Sequence, residues 1–237
     1  MEINKIFNVD AYEAIKDIPD KSIDCIYNDI PYLIDNHGFG KSDLGNRMKN
    51  KTSDLKGIDK GIDLSILNEF VRVMKKINIF VWCSKLQIIE LLNFFDTNGC
   101  RFELLVWKKD NPSPTCNNIW LPDLEYCLYF REKGVPLNDG YELKSKWYAS
   151  PINKHDKDLF NHPTIKPLQL VERHIKHATQ PNDIVLDPFM GSGTTAVACK
   201  NTGRNFIGFE INPKWVQVAT DRLNNIDTTG QMSLITF

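Results

Sequence analysis

Apolar runs of strand length alternate with stretches of helical periodicity along this chain, a pattern that predicts a parallel sheet covered by helices. Residues 22–28 read as a buried strand that stops at Asp29-Ile30-Pro31-Tyr32. Leu64, Leu67, Val71 and Met74 recur at helical spacing over 64–76. A strand at 77–83, a helix at 86–98 closed by Gly99 and a strand at 102–107 follow. Residues 124–130 read as an antiparallel partner at a sheet edge, because Arg131-Glu132-Lys133-Gly134 then reads as a turn. Beyond them come a helix (167–179), a strand (183–186), a helix (192–202) and a strand (205–210). A last helix spans 213–223, with Pro213 in its first turn and Asn212 as its cap. The whole predicts one doubly wound, mostly parallel α/β domain over 1–237.

Two regions break the rhythm. Residues 33–62 are polar and rich in Gly, Asp, Asn and Lys, while 111–120 and 136–161 carry many Pro, Asn and Lys. Connections of this length in a compact domain are usually lids or binding segments, so 33–62 is read as a mobile loop and about 111–161 as a functional insertion.

Charge narrows the classes further. The 29 basic and 30 acidic residues leave a net charge of −1, which excludes a chain that grips nucleic acid by bulk charge but not one with a local basic cleft. No apolar run reaches membrane-spanning length and the first residues lack a secretory layout, so a soluble, cytoplasmic protein with no membrane partner is expected. The 6 cysteines form no C-x-x-C pair and sit mostly in apolar runs, where a reduced thiol packs as a small hydrophobe. The 5 histidines show no ligand spacing, and no metal site is expected.

The sharpest local signal is Asp187-Pro188-Phe189-Met190-Gly191-Ser192-Gly193-Thr194-Thr195, a glycine turn between a strand and a helix. Such a turn lets backbone approach a ligand, and the carboxylate of Glu210, 19 residues after Gly191 at the next strand end, suits ribose hydroxyls. Nicotinamide cofactors and S-adenosylmethionine share this logic, so the turn alone fits either. Asp187 tips the sign: an acid at the turn favours a ligand carrying a sulfonium and an ammonium over one carrying a pyrophosphate.

Asp29-Ile30-Pro31-Tyr32 closes the second strand-end loop. An exocyclic amine on a base is a poor nucleophile because its lone pair is delocalised. Two acceptors, the Asp29 carboxylate and the Ile30 carbonyl, would draw the nitrogen toward tetrahedral geometry for an in-line displacement governed by positioning. Tyr32 offers a face on which a flipped base can stack.

These residues resemble the catalytic D-P-P-Y and cofactor motifs of S-adenosylmethionine-dependent DNA amino-methyltransferases. The order, catalytic motif first, is similar to that of the permuted beta group. His162-Pro163-Thr164-Ile165-Lys166-Pro167 matches the segment that in this group closes over the methionine part of the cofactor. Asn8-Val9-Asp10-Ala11 resembles the place where an acid approaches the cofactor adenine. Trp107-Lys108-Lys109-Asp110-Asn111-Pro112 looks like a beta-group element after a central strand. The resemblance implies a circularly permuted Rossmann-like methyltransferase fold and transfer to adenine N6 in duplex DNA by base flipping. Cytosine N4 on the same fold, or a catalytically impaired DNA-binding homologue, are the alternatives. It implies Asp29, Ile30, Pro31 and Tyr32 as catalytic residues. Asp10, His162, Thr164, Lys166, Asp187, Pro188, Phe189, Gly191, Ser192, Gly193, Thr194, Glu210 and Asn212 would hold the cofactor.

One departure stands out: Ile30 replaces the first proline, so the turn loses a fixed φ while keeping its carbonyl. An acid at position 29 favours adenine, since cytosine-N4 members more often carry Ser there. Cytosine C5 chemistry is excluded because the chain holds no Pro-Cys dipeptide. The insertion at 111–161 corresponds to the target-recognition region, short enough for a site of about four to six base pairs. Lys108, Lys109, Asn111, Lys144 and Lys146 are the candidate DNA contacts there, the first two on phosphates. The resemblance leaves open a homodimer and a restriction endonuclease as partners.

Overall fold

The structure is a computed structural model that describes residues 1–33, 61–112, 120–152 and 165–224. Eight strands form one sheet in the order β1-β8-β7-β2-β3-β5-β4-β6. They are β1 (Lys5–Asn8), β2 (Cys25–Asp29), β3 (Asn78–Cys83), β4 (Arg101–Lys109), β5 (Leu124–Arg131), β6 (Trp147–Ser150), β7 (Ile184–Asp187) and β8 (Asn205–Glu210). Every pairing is parallel except those that β5 makes with β3 and β4.

The central strands are apolar on both faces because both faces are covered. Ile26, Ile79 and Val81 enter one core, while Cys25, Tyr27, Phe80 and Trp82 enter the other, the period-2 alternation of a pleated strand. The first core is roofed by α1 (Ala11–Ala14), α2 (Ile66–Val73) and α3 (Ile88–Thr97), through side chains such as Phe70 and Phe95. The second lies under α4 (Leu168–Ala178) and α5 (Thr194–Thr202), with α6 (Pro213–Asn224) beside α5 and β1. Asn212 caps α6 as the sequence predicts, its Oδ1 accepting from the Lys214 N–H at 3.0 Å. Cys25, Cys83, Cys127 and Cys199 are buried free thiols, whereas Cys116 lies outside the described residues.

Three strands differ from the sequence reading. The antiparallel strand β5, expected at an edge, lies inside the sheet between β3 and β4. Its run Cys127-Leu128-Tyr129-Phe130 is buried on both faces, and such a segment left at an edge would expose apolar surface and open ladder groups. Strands β1 and β6 escaped prediction because each has only four residues and sits at an edge, where alternation is short and half-exposed. Among the described residues no helix is long and apolar enough to cross a membrane.

Topology fixes where a ligand can enter. After β7 the chain crosses by α5 to β8 on one side, and after β2 it crosses by α2 to β3 on the other. The switch of direction falls between neighbours β7 and β2, and crevices form outside the carboxyl ends of strands at such a point.

Candidate active site

A cavity of about 570 Å³ opens at that switch point, within the range of small-molecule and cofactor sites. Its walls come from the loops after β1, β2, β7 and β8, so Asp10, Asp29, Asp187, Gly191 and Glu210 share one crevice.

The cofactor-like half is built on the glycine turn. Gly191 and Gly193 hold φ of 52° and 83°, a left-handed conformation that glycine adopts without strain. At Gly193 a Cβ would also lie 2.7 Å from the Ala219 Cβ, so α6 can pack on the turn only because no side chain intervenes. Buried Arg222 of α6 donates to the Ser192 carbonyl at 2.7 Å and reaches the Ser192 and Thr194 hydroxyls at 3.0 and 3.2 Å. These two hydroxyls therefore brace the turn from behind.

Besides Asp29, three acids face the cavity. Asp187 accepts from the Phe189 N–H at 3.0 Å and the Thr195 hydroxyl at 2.5 Å, and burial pushes its carboxyl up to about 7. Glu210 accepts from the N–H groups of Gly191 and Asn212 at 2.9 and 2.8 Å, tying the two loops together. Burial raises Glu210 too, against those hydrogen bonds. Asp10 caps α1 through the Tyr12 N–H at 2.7 Å. Apolar surface comes from Val9, Phe189, Ile211 and Trp215. Buried acids for cationic groups, a carboxylate for hydroxyls and apolar walls for a ring suit a ligand with a sulfonium, an ammonium and an adenosine.

The other half of the crevice is the turn after β2. Ile30 explains its own departure from proline: its side chain is buried in the first core, and its N–H donates to the Trp82 carbonyl at 3.2 Å, a bond proline cannot make. The Pro31 carbonyl accepts from Gln87 Nε2 at 2.9 Å. Ile30→Pro is accordingly expected to cost about 2 kcal/mol or more, from the lost core volume and the orphaned carbonyl, rather than to improve the turn. Urea denaturation of both proteins measures it.

Asp29 sits in a chain of charges. Lys166 Nζ lies 2.5 Å from Asp29 Oδ2 and 3.0 Å from Glu125 Oε2. Glu125 in turn pairs with Lys109 at 2.6 Å. Burial raises the Asp29 carboxyl above its ordinary range, and the Lys166 ammonium opposes that. Burial likewise favours a protonated Glu125, but Lys166 and Lys109 outweigh it and hold the group low. For Lys166 the two carboxylates outweigh burial and keep it cationic.

The crevice thus brings together Asp29, Ile30, Pro31, Tyr32, Asp10, Lys166, Asp187, Pro188, Phe189, Gly191, Ser192, Thr194, Glu210 and Asn212. Lys166, expected on the cofactor, has its ammonium on Asp29. His162 and Thr164 lie outside the described residues. Among the candidate DNA contacts, Lys108 is exposed and paired with Asp110. Lys109 is turned inward onto Glu125, which corrects its reading as a phosphate contact. Asn111 is engaged structurally, its Oδ1 accepting from the Ile152 N–H at 2.5 Å. Lys144 pairs with Asp139 beside the end of α4 that leads into β7, so it belongs to the sheet edge opposite the crevice. Lys146 pairs with Glu103 on β4. Sequence reasoning missed Glu125 and Arg222; the signal available was an acid inside an apolar strand and an arginine on an otherwise ordinary helix.

A mostly parallel sheet with an acid-bearing glycine turn and the Asp29–Tyr32 turn on one crevice suits the class of S-adenosylmethionine-dependent DNA amino-methyltransferases. The chain belongs to the DNA methylase family N6_N4_Mtase, whose model matches residues 23–221. The Type II methyltransferase M2.LlaDCHI of Lactococcus lactis subsp. cremoris is 29% identical over alignments covering 95% of this chain and 91% of its own. M.HinfI of Haemophilus influenzae, also a Type II methyltransferase, is 30% identical, with 94% and 69% covered. The crystal structure of the M1.HpyAVI–SAM complex superposes with a TM-score of 0.70 at 30% identity, covering 92% of this chain and 99% of that one. The cytosine-N4-specific PvuII DNA methyltransferase shares the fold, with a TM-score of 0.66 at 17% identity.

Proposed function

We propose that this protein is a site-specific DNA methyltransferase that moves a methyl group from S-adenosylmethionine to adenine N6 in duplex DNA. The observation that carries the reading is the placement of Asp29 and Asp187 on one cavity, at the ends of adjacent parallel strands. Bound S-adenosylmethionine supplies an electrophilic methyl carbon whose bond to sulfur breaks as the bond to nitrogen forms. The chain's own residues do the rest. Asp187 receives the ammonium end, Glu210 the ribose hydroxyls, and Asp10 approaches the adenine. Asp29 and the Ile30 carbonyl accept the two N–H groups of a flipped base, and Tyr32 stacks on it. The proton displaced from nitrogen has Asp29 as its nearest basic acceptor.

Aspartate at position 29, in place of serine, supports adenine over cytosine. Flipping costs a few kcal/mol of unstacking, which contacts from the recognition insertion at about 111–161 and the loop at about 33–62 would offset. The Type II designation of the relatives supports a restriction endonuclease as partner, in the cytoplasm of a bacterial or phage-infected cell.

Incubation with methyl-tritiated S-adenosylmethionine and mixed duplex DNA, followed by nucleoside analysis, tests the proposal. Label in N6-methyladenine is expected. Label in N4-methylcytosine would overturn the base assignment, and cofactor binding without any label would make the chain an impaired DNA-binding homologue.

A further inference from the structure

Four buried or half-buried charges alternate in sign toward the catalytic turn: Lys109, Glu125, Lys166 and Asp29. They come from four places in the chain, the end of β4, the start of β5, the segment before α4 and the end of β2. Lys166 takes only one oxygen of Asp29. Oδ2 holds the ammonium at 2.5 Å, whereas Oδ1 is buried and has no hydrogen-bond partner among the described residues. The ammonium is also fixed from other sides, by the Tyr32 hydroxyl, to which it donates at 3.3 Å, by the ion pair with Glu125 at 3.0 Å and by the face of Trp82, 5.1 Å from the ring centre.

We propose that Lys166 and Glu125 are positioning residues for methyl transfer: Glu125, anchored by Lys109, pins the ammonium on Oδ2, so that Asp29 presents Oδ1 to the amine as an ionised acceptor. This rests on the reading of Asp29 as the group that grips the amine. The physical need is plain. A carboxylate buried alone takes up a proton and turns one acceptor into a donor, which cannot receive an N–H. A lysine with no second acid would be free to straddle both oxygens and occupy the place meant for the base. Two pairs in line solve both problems, since the chain is neutral as a whole and each charge has a fixed neighbour. Besides Lys166 and Glu125, the titratable groups that act on Asp29 or feel its charge are Tyr27, Tyr32, Asp187, Cys83 and Cys127.

The test uses full-length protein carrying aspartate labelled with ¹³C at the side-chain carboxyl, with the Asp29 signal assigned by its loss in Asp29→Asn. Lys166→Gln keeps a donor for Oδ2 but removes the charge, so the Asp29 midpoint should rise by about 1–3 pH units. The acid limb of single-turnover methyl transfer should rise with it, while cofactor Kd stays within about threefold. Lys166→Arg should return the midpoint toward wild type. Glu125→Gln should slow transfer about tenfold or more without raising the midpoint, because loss of a neighbouring negative charge cannot favour protonation of Asp29. A purely structural tie would lower the melting temperature and leave the Asp29 titration where it was. An unchanged midpoint in Lys166→Gln, a loss confined to cofactor Kd, or a Glu125→Gln enzyme as fast as wild type would each overturn the inference. Because the NMR titration needs no turnover, a protein that labels no adenine fails the functional reading while the ion chain is still judged on its own signal.

Discussion

Asp29→Asn is expected to slow methyl transfer by about 10³-fold, the size of loss seen when one preorganised group facing developing charge is removed. The nitrogen becomes cationic as it gains the methyl group, so a negative acceptor stabilises the transition state more than the ground state. Asparagine keeps the shape and loses the charge. The fixed ammonium of Lys166 makes the exchange worse than neutral: it holds the amide oxygen of residue 29 toward Nζ, which turns the amide N–H₂ toward the substrate amine. Two donors would then face each other where a donor and an acceptor belong.

The choice of asparagine over alanine follows from the same chain of charges. Asp29→Ala would leave the buried ammonium with Glu125 alone, and removing one partner of a buried pair costs about 3 kcal/mol or more. Lost activity would then be mixed with lost stability. Single-turnover transfer from tritiated S-adenosylmethionine, together with cofactor affinity by equilibrium dialysis, separates the two. The expected pattern is a collapsed rate with a Kd near wild type. A variant that kept a tenth of the rate or more, as judged against the typical worth of one such group, would remove Asp29 from the chemistry.

What could be read in the sequence depended on whether the signal was local. Asp187 to Thr195 and Asp29 to Tyr32 are contiguous stretches whose conformations follow from glycine, proline and strand-end geometry, so they were legible along with the central strands and all the longer helices. The ion chain was not. Lys109, Glu125, Lys166 and Asp29 lie far apart in sequence and meet only through the order of strands β2, β3, β5 and β4, which no periodicity encodes. The same reason misplaced Lys109. A lysine pair after a strand looks like a surface feature until the neighbouring strand supplies a buried acid for one of the two. Ile30 was legible as a departure but not as a compensated one, because the Trp82 carbonyl that its N–H meets belongs to β3. The interior position of β5 also follows from pairing rather than pattern: its apolar run is compatible with any buried place in the sheet.

Cofactor affinity is expected to depend on pH through Asp187, and the sign can be worked out. Burial raises this carboxyl to about 7, against the hydrogen bonds from Thr195 and the Phe189 N–H. A ligand bearing a sulfonium and an ammonium binds the ionised form, so below that midpoint each binding event must also expel a proton. Affinity should fall about tenfold per pH unit as pH drops from 7 toward 5.5, and level off above 7. The ligand's own α-amino group stays protonated over that falling range, since such groups titrate near about 8. Stability carries the complementary signature. A carboxyl with a raised folded-state midpoint binds its proton more tightly in the native state than in the unfolded chain. The cofactor-free protein therefore loses stability from this group as pH rises from about 4 to 7. The cofactor relieves that penalty, and the rise in melting temperature it produces should be larger at pH 8 than at pH 6. Asp187→Asn should bind about 10- to 100-fold more weakly at pH 8, the worth of a hydrogen bond to a charged group, and show no slope between pH 5.5 and 7. Isothermal titration calorimetry at matched ionic strength reads both quantities. A wild-type affinity that stays flat from pH 5.5 to 8 would mean that Asp187 braces the glycine turn through Thr195 and Phe189 without meeting the ligand's charge at all.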